Sequence, residues 1–188
     1  MKKNTFIFGA VIAVLFIGAA IYMYFYLKPV RPETIIPITN LSMKLTSAAF
    51  QANGEIPSKY TCDGLNVSPP LIIEGVPAGA KSLVLIVDDP DAPVGDWVHW
   101  LVWNIKPETK EIAENSVPEG AVQGTTDFGK PGWGGPCPPS GIHHYQFKLY
   151  ALDAELSLSS GTKKADLEKA VSPHTIDSTL LVGLYQRK

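Results

Sequence analysis

"GGPCPPSGIHHYQFKLYAL", Gly134 to Leu152, changes character halfway. Its first half packs three prolines and three glycines around Cys137. Its second half alternates, with His143, Tyr145, Phe147 and Leu149 in one phase and His144, Gln146, Lys148 and Tyr150 in the other. Period two is the signature of a β-strand with one buried face. A stiff loop that delivers two histidines to the mouth of a strand points to an all-β frame with chemistry at its rim.

Working outward, three more runs read as strands. "SLVLIVDD" (82–89) is a short apolar run ending in acids, "WVHWLVWNI" (97–105) is rich in aromatic and β-branched residues, and "TLLVGLYQ" (179–186) repeats the pattern. One helix is expected, "TKKADLEKAV" (162–171), with Thr162 as its cap and Pro173 just past its end. Strands outnumber helices and no βαβ alternation occurs. The expected fold is therefore mainly β, a two-sheet antiparallel sandwich with a small C-terminal helix. Sixteen prolines and sixteen glycines suit such a fold.

The N-terminus reads differently. Lys2 and Lys3 precede Phe6–Leu27, a stretch without a charge. At ~1.5 Å per residue it is long enough to cross a bilayer as a helix. The expectation is an N-terminal transmembrane helix: residues 1–5 cytoplasmic, 6–27 the anchor, 28–40 a proline-rich spacer, and 41–188 an extracytoplasmic domain of a single-pass membrane protein. A signal peptide cleaved near Gly18–Ala20 is the competing reading of the same segment. Beyond residue 28 lie thirteen basic and eighteen acidic side chains, a balance of −5. A net acidic domain without a basic run excludes a nucleic-acid partner.

Alternation puts His99 in phase with Leu101, Trp103 and Ile105. "DDPDAPVGD" precedes His99, as "GGPCPPSGI" precedes His143. Two such loops at one end of a sandwich would gather Asp89, Asp91, His99, His143 and Tyr145. Taken singly, each histidine has a bland reading as a packed core residue, "DPDAP" as turn chemistry, and Trp97, Trp100 and Trp103 as packing. The spacing is no metal signature, so neither a metal nor a cofactor is expected. No G-x-S-x-G elbow occurs, and "GTTDFGKP" (124–131) fails as a P-loop because Pro131 stands where Ser or Thr is required. Cys62 and Cys137 either form a disulfide, closing a long loop worth roughly 3–4 kcal/mol, or remain two thiols.

"LIVDDPDAPVGDWVHWLVWNI" (85–105), "TDFGKPGWGGPCPPSGIHHYQFKLYAL" (126–152) and "YTCDGLNVSPPL" (60–71) together resemble the phosphatidylethanolamine-binding protein family, most of all its bacterial and archaeal branch, often called Raf-kinase-inhibitor-like. The resemblance implies a β-sandwich with one small anion pocket. Its residues here would be Asp89, Asp91, His99, His143 and Tyr145, with His144, Gly135 and Pro136 secondary. The family usually carries Arg where this chain has His144, so a permanent charge is replaced by one that titrates. The function implied is non-enzymatic binding of phosphate-bearing small molecules or phospholipid head groups, with the membrane as a further partner through 6–27. The alternative is a protein-interaction module that inhibits a serine protease or kinase. A hydrolase using a His99–Asp pair as general base trails both, for want of a nucleophile.

Overall fold

The computed structural model describes residues 42–187. The apolar runs become the long strands: β4 (Ser82–Asp89), β5 (Trp97–Ile105), β8 (His143–Leu152) and β9 (Thr175–Tyr185). β4 is buried along its whole length because both of its faces are covered. With the two-residue edges β2 (Gly54–Glu55) and β7 (Val122–Gln123) they form a six-stranded sheet in the order β2-β9-β8-β4-β5-β7. A smaller sheet runs β1-β3-β6, from β1 (Lys44–Thr46), β3 (Leu71–Glu74) and β6 (Glu111–Ile112). Pairing is antiparallel throughout except between β2 and β9.

The main core lies between the sheets. Leu45, Leu71, Ile73 and Ile112 of the small sheet meet Leu83, Leu85, Val87, Phe147 and Leu149 of the large one. Each such side chain contributes roughly 1.5–3 kcal/mol through burial. The large sheet's other face is covered in part by α1 (Lys164–Val171), whose Leu167 and Val171 pack on Val84, Ile86, Leu101 and Trp103. Asp88 is wholly buried on that side and pairs with Lys148 and Lys164, each at 2.7 Å. The helix starts two residues later than expected, and Thr162 does not cap it. The Thr162 N–H is spent on the Ser159 carbonyl and its own carbonyl accepts the Thr125 N–H, which makes it part of the preceding turn.

The fold is thus mainly β with one small helix, and the expected transmembrane helix is corrected. α1 has eight residues, about 12 Å at ~1.5 Å per residue, and among the described residues no helix is long and apolar enough to cross a membrane. The expectation of a single-pass membrane protein with an extracytoplasmic domain falls with it. The stretch 6–27 on which it rested, like the spacer 28–40, lies outside the described residues.

Strict alternation along β5 is also corrected. Asp88 pairs with Val98 and Val87 with Trp100, so His99 is an extra residue, a β-bulge. The bulge turns His99 away from the face of Leu101 and Trp103 and toward the main core, where its ring meets that of Tyr145 at 5.1 Å. A second irregularity falls at Asn104, whose φ of 56° resets the phase so that Ile105 returns to the main core while Trp103 stays opposite.

Candidate functional site

Three strand ends converge at one rim of the large sheet. Asp89 ends β4, His99 stands three residues into β5, and His143 opens β8. All three are almost wholly buried. They line a hollow of about 190 Å³ whose remaining walls are Ala92, Pro93 and Val94 from the β4–β5 loop, Trp97, Phe128, and Cys137–Pro139 from the proline-rich loop. The walls are apolar and the polar atoms few. A larger hollow of about 420 Å³ lies at the end of β9, lined by Glu55, Ile142, Leu184, Tyr185, Gln186 and Arg187. It has no histidine, and its Tyr185 hydroxyl already donates to Asp63, so the chemistry is concentrated in the smaller one.

Each imidazole is oriented through Nδ1. His143 Nδ1–H donates to Asp89 Oδ2 at 2.7 Å, and the other Asp89 oxygen accepts the Asp91 N–H at 2.9 Å. His99 Nδ1–H donates to the Gly134 carbonyl, while the Gly134 N–H donates back to the His99 carbonyl. A carbonyl only accepts, so the proton of neutral His99 sits on Nδ1 and its Nε2 carries a lone pair. Nε2 of neither histidine bonds to the protein, and neither is among the fully enclosed polar atoms. Burial holds the His99 imidazole below its ordinary value of 6.5, against the opposing pull of the Gly134 carbonyl and Asp89.

The loops explain why the rings sit here. Asp127 accepts the Val98 N–H and returns its own N–H to the Val98 carbonyl, which folds "TDFG" over the start of β5 and sets Phe128 against His99 at 5.5 Å. Gly134 and Gly135 are required by close approach. A Cβ at Gly134 would stand 2.3 Å from the Phe128 ring, and one at Gly135 would stand 2.5 Å from both Asn66 Oδ1 and the Tyr60 carbonyl.

Of the expected site residues, the structure gathers Asp89, His99 and His143 in the hollow. Tyr145 lies behind them, stacked near His143 at 6.4 Å. Its hydroxyl is buried without a hydrogen-bond partner among the described residues. Burial above all, then the nearby Asp89, lifts it well above the ordinary tyrosine range, so it stays protonated. Asp91 is not in the hollow. It faces solvent and accepts from both Nδ1 (2.7 Å) and the backbone N–H (2.8 Å) of His144, which holds its carboxyl below the usual range. Gly135 and Pro136 stand behind the wall: the Gly135 N–H donates to Asn66 Oδ1, and the Pro136 carbonyl accepts the Cys62 N–H. Cys62 and Cys137 are joined as a disulfide. Phe128 and Gly134 were missed by sequence reasoning. Their signal was an aromatic residue inside a glycine-rich turn and a glycine pair beside the cysteine, neither of which names a partner. Among the described residues no cluster of histidine, cysteine and acidic side chains suits a metal ion.

The family model for phosphatidylethanolamine-binding proteins matches residues 46–186. A UPF0098 protein of Methanothermobacter thermautotrophicus is 51% identical over 150 residues, covering 77% of this chain and 99% of that protein. UPF0098 protein PH1269 of Pyrococcus horikoshii is 51% identical over 157 residues, covering 79% of this chain and 78% of its own. Among solved structures, the putative phosphatidylethanolamine-binding protein homologue CT736 from Chlamydia trachomatis is 44% identical with a TM-score of 0.75, over 78% of this chain and 99% of that one. YbcL of E. coli, described as a member of the mammalian PEBP family, is 34% identical with a TM-score of 0.74 over the same shares. The match spans both proline-rich loops and all the strands that end at the hollow, and the chain belongs to the phosphatidylethanolamine-binding protein family.

Proposed function

We propose that this domain binds phosphate-type anions in the hollow between Asp89, His99 and His143, and does so without turnover. The observation that carries the reading is the pair of buried imidazoles, each oriented through Nδ1 and each lining one small, apolar-walled hollow. About 190 Å³ is below the roughly 300–1,000 Å³ usual for drug-sized ligands. It suits a small anion or the head of a larger molecule. Apolar walls exclude water, which strengthens the few polar contacts that form.

The tautomers add a condition. Neutral His99 offers Nε2 as an acceptor, so the matching ligand oxygen must carry a proton. A phosphomonoester supplies that P–OH as its monoanion, below a second pKa of about 6, and inorganic phosphate keeps one to a somewhat higher pH. A phosphodiester head group has no P–OH and requires a protonated imidazole instead. Either way, affinity rises as pH falls. No serine, threonine or cysteine thiol lines the hollow to act as a nucleophile, which favours binding over hydrolysis.

Titration calorimetry with inorganic phosphate and with glycerophosphoethanolamine tests the reading. Loss of one hydrogen bond to a charged ligand is worth about 1.5–3 kcal/mol, so His99→Ala and His143→Ala are each expected to weaken phosphate binding roughly 10- to 150-fold. Tighter binding of phosphate than of the diester supports the tautomer argument. Unchanged binding in both folded variants would return the histidines to a packing role.

A further inference from the structure

We infer that the Cys62–Cys137 disulfide is a redox gate on the hollow: its reduction by a dithiol releases the wall that Cys137 carries and weakens anion binding. This is a regulation of the site proposed above and rests on that reading.

Cys137 lines the hollow together with Pro138 and Pro139, and both bridged cysteines are exposed to solvent. The proline-rich loop is pinned to the 60–66 segment by three hydrogen bonds, all on one side of the bridge. Trp133 Nε1–H donates to the Tyr60 carbonyl, the Gly135 N–H donates to Asn66, and the Cys62 N–H donates to the Pro136 carbonyl. From Pro138 to Ile142, where β8 is about to begin, no backbone or side-chain hydrogen bond holds the chain among the described residues. Pro138 and Pro139 have no N–H to offer. The disulfide is therefore the tether of that wall, one residue from the last hydrogen bond and six from His143.

The exchange balances simply. A thiolate of the dithiol attacks one exposed sulfur, the Cys62–Cys137 bond breaks, and a mixed disulfide forms. The second thiol of the dithiol resolves it. The protein gains two electrons and two protons as two thiols, and the reductant leaves as its disulfide. With Cys137 freed, Pro138 and Pro139 are no longer held against His143, water enters, and each polar contact to the anion is weakened. His99 is less affected, because its Gly134 anchor lies on the pinned side of the bridge.

The test uses the full chain, inorganic phosphate as probe, and thioredoxin or dithiothreitol as reductant. Affinity is measured in the oxidised, reduced and reoxidised protein, with alkylation to count thiols. The imidazole ¹⁵N signals of His99 and His143 are followed in parallel. A fall of roughly tenfold or more on reduction, recovered on reoxidation, is expected, with a larger signal change at His143 than at His99. The Cys62→Ser/Cys137→Ser double variant should sit in the weak state and ignore the reductant. If it does not fold, the reversible cycle in the native chain decides alone. Equal affinity and unchanged imidazole signals with two free thiols would overturn the gate, as would a bridge that both reductants leave intact in the folded protein. If phosphate binds neither form yet the His143 signals move on reduction, the ligand reading fails and the control of the hollow by the bridge stands.

Discussion

Asp89→Asn is the sharpest probe of the site, because the carboxylate serves two donors at once. One oxygen accepts His143 Nδ1–H at 2.7 Å and the other accepts the Asp91 N–H at 2.9 Å. An amide has one acceptor and one NH₂ group. If its oxygen keeps the Asp91 N–H, the NH₂ faces His143 and the ring must move its proton from Nδ1 to Nε2. A charge-assisted bond between side chains only 5% and 8% exposed is exchanged for a neutral one. Such bonds contribute about 1.5–3 kcal/mol, and the amide retains part of this, so a loss of about 2 kcal/mol is expected. For a domain of this size that lowers Tm by about 4–8 °C. The same substitution makes neutral His143 an Nε2–H donor. Phosphate affinity above neutral pH should then fall away less steeply than in the native protein. Urea unfolding gives the first number, ¹⁵N spectra of His143 give the tautomer, and calorimetry across pH gives the third readout. A loss under about 0.5 kcal/mol with the His143 proton still on Nδ1 would refute the account of Asp89 as the group that sets the ring.

Three further outcomes concern stability. Because burial holds His99 below 6.5, the folded state binds fewer protons than the unfolded chain between the folded value and 6.5. This contribution is complete above 6.5 and is lost as pH falls below it, so urea midpoints for His99→Asn should decline less over that range than those of the native protein. Asp88→Ala should cost about 3 kcal/mol in urea unfolding, since it strips a fully buried carboxylate from Lys148 and Lys164, both at 2.7 Å. Lys164→Met should cost less, because Asp88 keeps Lys148; equal losses would contradict that division.

The sequence by itself determined the four long strands, although β9 starts four residues before the expected 179, and the short β1, β2, β3, β6 and β7 carry no run long enough to read. Apolar runs at 82–89 and 97–105 became β4 and β5 with those bounds, because alternation and β-branched content act locally. It also pointed to Asp89, His99 and His143 as neighbours at one rim, and the structure lines one hollow with these three of the five expected residues. Their loops are proline-stiffened and their strands are neighbours in the sheet. What it could not decide depended on contacts between distant segments. His99 faces the hollow only because a bulge against β4 adds a residue to β5 there, and alternation alone puts it on the wrong face. Asp91, two residues from Asp89, turns outward because His144, on a strand 53 residues away, offers it two donors. The partner of His99 is a glycine carbonyl 35 residues on, which no residue type announces. The sequence leaves the two cysteines either bridged or free, and the fold decides by bringing their Cα atoms to 5.4 Å across 75 residues of chain. Periodicity is a property of a segment and is read from it. Ring orientation, tautomer and bridging are properties of pairs, and only the tertiary structure brings the pairs together.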